Sequence, residues 1–154
     1  MFFEHKHLYR SVKELVPDDY YTLEIGRGKL VREGDDLTII TYGWAVHWAI
    51  SEAEQLGISA NIVDLRTLLP WDKDLVAEAV KKTGKALVVH EDTLTGGIGA
   101  EIAAWIAEHC FEDLDAPVKR VGSLDTPIPM DKNLEENFLG KKYLAEAMQK
   151  LAAY

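Results

Sequence analysis

Residues that could do chemistry gather between Lys85 and Cys110, in "KALVVHEDTLTGGIGAEIAAWIAEHC". An apolar run ends in His90 and Glu91, and a short polar loop then leads to Gly96, Gly97 and Gly99. A histidine at the carboxyl end of a strand, where open α/β sheets bind ligands, can act as an acid or base near neutral pH. Glycines at the start of a helix expose backbone N–H groups that attract an anion. Both features have a structural reading too. His90 and Glu91 would then anchor the loop, and Gly97 and Gly99 would let the chain turn tightly and the helix approach the sheet. The glycine spacing favours the structural reading. A dinucleotide fingerprint needs a third glycine where Ile102 stands, and it follows its strand directly. Here Asp92 to Gly96 intervene, and no Gly-Lys-Ser/Thr follows.

Other candidates are weaker. His5 and His7 are suitably spaced to chelate a metal but lack a third ligand nearby. Cys110 closes a helix beside Ile102, Ala103 and Ile106 and reads as a small apolar filler. Glu112, Asp113 and Asp115 form an acidic cluster before Pro117, either a polar turn or a patch for a basic partner. No paired-carboxylate or Ser/His/Asp arrangement can be assembled.

The elements around these residues alternate. "LTIITY" is a buried strand, and a helix from Trp44 to Leu56 has Ala45, Trp48, Ala49, Ala53 and Leu56 on one face, with Gly57 as a left-handed C-cap. "ISANIVDL" is a second strand, and Asp72 is placed to cap a helix running through Lys82 that buries Leu75, Val76, Ala79 and Val80. "KALVVH" and "PVKRVG" are further strands, with the glycine-led helix from Gly97 to Cys110 between them. The last helix, "KKYLAEAMQKLAAY", turns Tyr143, Leu144, Ala147, Met148 and Leu151 inward. Strands alternating with helices imply a parallel sheet, and nearly continuous apolar strands imply cover on both faces. The expected fold is a three-layer α/β/α sandwich on a mostly parallel sheet of about five strands, with an antiparallel strand at one edge. That strand falls in "YTLEIGRGKLVREGDD", which reads as a hairpin or an arm followed by a strand. Before it, "KHLYRSVKELVPDDYY" reads as a linker, and "MFFE" as the end of a strand from another domain.

The totals bound the function. A chain of 154 residues suits one domain, and a net charge of -9 argues against sequence-independent nucleic-acid binding while suiting a basic protein partner. No apolar run nears the ~20 residues that span a membrane. One cysteine permits neither an internal disulfide nor a cysteine zinc site and fits a reducing compartment, such as the bacterial cytoplasm.

In order, "FFEHKHLYR", "VDLRTLLPWD", "KKTGKALVVHED", "LTGGIGAEIAAWI", "LDAPVKRV" and "DTPIPM" closely resemble the β subunit of the thiamine-diphosphate-dependent decarboxylating component of 2-oxo acid dehydrogenases, of the pyruvate and branched-chain type. The resemblance spans nearly the whole chain and corresponds to that subunit's transketolase C-terminal domain. It implies that residues 1–21 are the end of a preceding pyrimidine-binding domain and a linker, and residues 22–154 the domain itself. It implies no catalytic residue here: the groups that bind thiamine diphosphate and Mg²⁺ belong to the α part and the pyrimidine domain. The implied role is assembly with those parts and with a second β domain, and docking of the basic subunit-binding module of a lipoyl acyltransferase. The docking residues that carry over are Asp115, in the "LDAP" motif, and the terminal carboxylate at Tyr154. One departure is Gly140, where relatives often place proline. The alternatives are a stand-alone anion- or nucleotide-binding α/β protein using Gly97, Gly99 and His90, and a domain of a transketolase-like thiamine enzyme.

Overall fold

The computed structural model describes all residues, Met1–Tyr154. Its centre is a five-stranded sheet in the order β1-β3-β2-β4-β5. The strands are β1 (Lys29–Arg32), β2 (Leu37–Thr41), β3 (Ala60–Asp64), β4 (Ala86–Thr93) and β5 (Lys119–Ser123). β2, β3, β4 and β5 run parallel, and β1 joins the edge of β3 antiparallel.

The helices are α1 (Leu8–Ser11), α2 (Trp44–Leu56), α3 (Lys73–Thr83), α4 (Gly99–His109), α5 (Lys132–Phe138) and α6 (Lys141–Ala152). Alternation along the strands divides the core in two. Leu37, Ile39, Ile62, Leu87 and Val89 face α2 and α6, around Trp48, Leu144, Met148 and Leu151. Ile40, Val63, Ala86 and Val88 face α3 and α4, around Val76, Val80, Ile102 and Ile106. The expected three layers and the single antiparallel edge strand are therefore present.

Local chemistry sets the helix ends. Gly57 (φ 65°) and Gly84 (φ 67°) close α2 and α3 in the left-handed region, which costs glycine little. The Asp72 carboxylate accepts from Leu75 N–H (3.1 Å) at the start of α3 and from Gly28 N–H (3.0 Å). One side chain thus caps a helix and ties down the segment entering β1.

The elements differ from expectation in detail. α4 begins at Gly99 rather than Gly97. Tyr143 is 38% exposed, because the inward stripe of α6 is filled by Leu144, Met148 and Leu151 one turn apart. The segment read as a linker contains one helical turn, α1. The sequence reading did not include α5, a short polar helix capped by Asp131 that buries only Phe138. Gly140 has a steric reason: a Cβ there would lie 2.7 Å from the Gly122 carbonyl carbon. Its N–H also donates to Ser123 Oγ (3.3 Å), a bond that proline cannot make.

Candidate functional site

The candidate residues separate to opposite ends of the sheet. His90, Glu91, Gly97 and Gly99 lie at the carboxyl end of β4, and Asp115 and Tyr154 lie toward its amino end.

At the carboxyl end, His90 continues β4 on the α4 side and is fully buried. Nδ1–H donates to the Asp92 carbonyl (3.0 Å), which leaves Nε2 the deprotonated nitrogen, buried and without a partner. Three glycines enclose the ring. A Cβ on Gly99 would run into Nε2, one on Gly97 would lie 2.8 Å from Cε1, and one on Gly122 would lie 3.0 Å from Cε1. Gly97 also approaches the Thr93 carbonyl too closely for any side chain. The glycine turn is thus shaped around an imidazole. The ring stands where side chains at Gly97, Gly99 and Gly122 would have to go, which gives these glycines a packing role.

Burial holds the His90 imidazole below its usual range; the hydrogen bond and charge of Asp92 oppose this, and Arg120 adds to it. The unfolded chain therefore takes up the proton more readily than the folded one. His90 contributes stability that is present above the ordinary imidazole pKa of about 6.5 and is lost as pH falls below it. For one proton the slope can reach ~1.4 kcal/mol per pH unit. Urea unfolding between pH 5 and 8 should show stability falling on the acid side of about 6.5, and His90→Gln should flatten that part of the profile. An unchanged profile would mean that His90 is not the linked group.

Glu91 points the other way, to the α2 side, and is half-exposed. Its Oε2 lies 2.8 Å from His5 Nε2, so the chain's first residues fold back onto the tip of β4. His7 packs on Trp44 at 4.1 Å between ring centroids, and Trp44 on Trp48 at 5.0 Å. His5, partly covered, and His7, exposed, therefore form part of an aromatic contact. No group of three His, Cys, Asp or Glu side chains is gathered where a metal ion would be held. Cys110 is buried in the α3–α4 core, and burial pushes its thiol up, with the Asp113 charge adding to it.

At the amino end, Asp115 follows a 3₁₀ turn, Phe111–Asp113, and is exposed. Its N–H donates to the Gly84 carbonyl (2.7 Å), and its carboxylate lies over Gly84, where a Cβ would sit 2.8 Å from Cγ. The next residue, Lys85, reaches with Nζ to the Ala152 carbonyl (3.0 Å) in the last turn of α6. Gly84 and Lys85 thus bind Asp115 on one side and the end of α6 on the other. The sequence reading missed both as positioning residues. Nothing local in "TGKA" announces contacts this distant. Tyr154 follows α6 and is exposed.

A parallel α/β/α layer with one antiparallel edge strand defines the class of fold. The chain belongs to the family described as transketolase, C-terminal domain, whose model matches residues 26–142. It is 50% identical over 159 aligned residues to the 2-oxoisovalerate dehydrogenase subunit beta of Bacillus subtilis, covering 100% of this chain and 49% of that protein. It is 45% identical over 135 residues to the pyruvate dehydrogenase E1 component subunit beta of the same organism, covering 86% of this chain and 42% of that one. A solved structure described as a split-gene transketolase, inactive beta4 tetramer, matches with a TM-score of 0.74 and 31% identity, covering 92% of this chain and 46% of that chain. The chain thus spans about half the length of these relatives. No helix is long and apolar enough to cross a membrane.

Proposed function

We propose that this chain is the carboxyl-terminal domain of the β part of a 2-oxo acid dehydrogenase acting on pyruvate or a branched-chain 2-oxo acid. In this reading residues 1–21 are the end of the pyrimidine domain and its linker, and residues 22–154 are the assembly and docking domain. Thiamine diphosphate and Mg²⁺ are held by the other parts of the parent enzyme, and decarboxylation with acyl transfer to lipoyl groups proceeds there. Its partners are the α part, the pyrimidine domain, a second β domain and the basic subunit-binding module of the lipoyl acyltransferase. The compartment is the bacterial cytoplasm or an equivalent reducing one.

One observation carries the docking role. Asp115 and the last turn of α6 are anchored on consecutive residues, through Asp115 N–H to Gly84 O (2.7 Å) and Lys85 Nζ to Ala152 O (3.0 Å). The Asp115 backbone and the Ala152 carbonyl, two residues before Tyr154, are thereby held on neighbouring residues, which supports a shared acidic corner of the Asp115 carboxylate and the terminus after Tyr154. A corner of that kind supports recognition of a basic module, for which the net charge of -9 also favours encounter.

Surface plasmon resonance of the chain over an immobilised basic subunit-binding module tests the reading. Concentration-dependent binding that weakens as salt rises is expected. Absence of binding at tens of micromolar would remove the docking role and leave the family membership intact. On the same reading, calorimetric titration with thiamine diphosphate and Mg²⁺ gives no binding heat.

A further inference from the structure

The carboxyl end of the sheet carries an inference independent of the docking role. From β2 the chain crosses to β3 on one side, and from β3 it returns across β2 to β4 on the other. α2 covers one face and α3 the opposite face. The switch in strand order therefore falls between β2 and β4, where open α/β sheets leave a crevice that takes ligands. Here Tyr42, Gly43 and Trp44 leave the end of β2, and Glu91 and Asp92 stand near the end of β4.

The chain's own first residues occupy that crevice. His5 lies against the Trp44 indole at 5.5 Å between ring centroids and places Nε2 2.8 Å from Glu91 Oε2. A carboxylate accepts only, so Nε2–H donates. His7 covers Trp44 from its other neighbour position at 4.1 Å and meets the His5 ring edge-on at 6.3 Å. His5 Nδ1 is buried without a partner. Nearby, the Tyr42 hydroxyl feels the charges of Asp92 and Glu91. Burial, then those two charges, push its pKa up to about 12, so it stays a neutral donor.

The geometry points to residues His5–His7 as a strap that fills a ligand site of this domain from within. The site is built for a small planar nitrogen heterocycle that lies against Trp44 and donates an N–H to Glu91, and the His5 imidazole is its resident occupant. The aromatic surface and the carboxylate belong to the fold, whereas the ring that satisfies them belongs to the arm. Paired carboxylates at the mouth favour a ring that is neutral or cationic over an anionic one.

Imidazole itself is the probe. In the full chain carrying His5→Ala and His7→Ala, the Trp44 indole N–H resonance should shift saturably on imidazole titration. Adding Glu91→Gln should weaken that binding at least tenfold, and the parent chain should show no saturable shift. Failure of the double variant to bind imidazole, or equal binding with Glu91→Gln, would overturn the site. The strap has its own readout. Glu91→Gln alone should speed tryptic cleavage after Lys6 and Arg10 at least tenfold while the melting temperature of the body holds. Unchanged cleavage would overturn the strap.

Discussion

Gly99→Ala is expected to destabilise the chain by about 2–3 kcal/mol, the upper part of the usual range for overpacking a buried site. The sign is informative because propensity points the other way. At the first position of α4 alanine is still the better helix former, by less than the ~1 kcal/mol of a helix interior. A net loss therefore isolates the collision between the new Cβ and the His90 ring. That ring cannot step aside, since Gly97, Gly122 and the Asp92 carbonyl confine it. In a His90→Ala background the same substitution should cost far less, with a coupling of about 1–3 kcal/mol in a double-mutant cycle. Chemical denaturation of the four proteins measures it. Additive effects would mean that the glycine turn is needed for backbone reasons alone. Gly97→Val is a harsher relative of this test, but it confounds the ring with the Thr93 carbonyl, so it cannot give the coupling.

That nest of glycines marks the boundary of what could be read in advance. The strands were legible because "LTIITY" and "KALVVH" are continuous apolar runs that only two-sided cover explains. Asp72 was legible as a cap because capping is a local contact. His90 was legible as a residue of interest by type and position, but its environment was not. Gly122 reaches the ring from the neighbouring strand β5, and a single glycine in "RVGS" carries no sign of that. The His5–Glu91 contact joins the start of the chain to the tip of β4, and no periodicity encodes so long a closure. α5 escaped because seven mostly polar residues around one buried Phe138 give too short a stripe to count. Tyr143 went wrong for a related reason. A helical face broad enough to include it also includes residues at its rim, and packing density chooses among them.

Asp115→Asn should weaken binding of the basic subunit-binding module by about 2–5 kcal/mol, the range for removing one partner of a desolvated interface charge pair. Three features set that size. Pro117 lies two residues on, and Ala116 before it is confined to extended backbone, which stiffens the segment. The Asp115 N–H is already committed to Gly84, so the carboxylate is presented on an anchored backbone and loses little freedom on pairing. Gly84 has no side chain, so the carboxylate lies directly over its backbone. The last point supplies a second handle. Gly84→Ala would put a Cβ against the carboxylate in a left-handed position that L side chains rarely adopt, displacing Asp115 without altering its charge. It should lower affinity as well, with a stability cost that Asp115→Asn does not share, because Asp115 is exposed and the aspartate-to-asparagine change keeps its shape. Extending the chain beyond Tyr154 moves the terminal carboxylate away from the corner held by Lys85 and should weaken binding independently. Raising salt should slow association and narrow the difference between parent and variants, since screening acts most strongly on exposed charges. Surface plasmon resonance at two salt concentrations, beside a melting curve for each variant, resolves the contributions. If Asp115→Asn and the extended chain both bind within twofold of the parent, the acidic corner is not the docking anchor. The carry-over of Asp115 and Tyr154 then fails, even though the fold that holds them together stands.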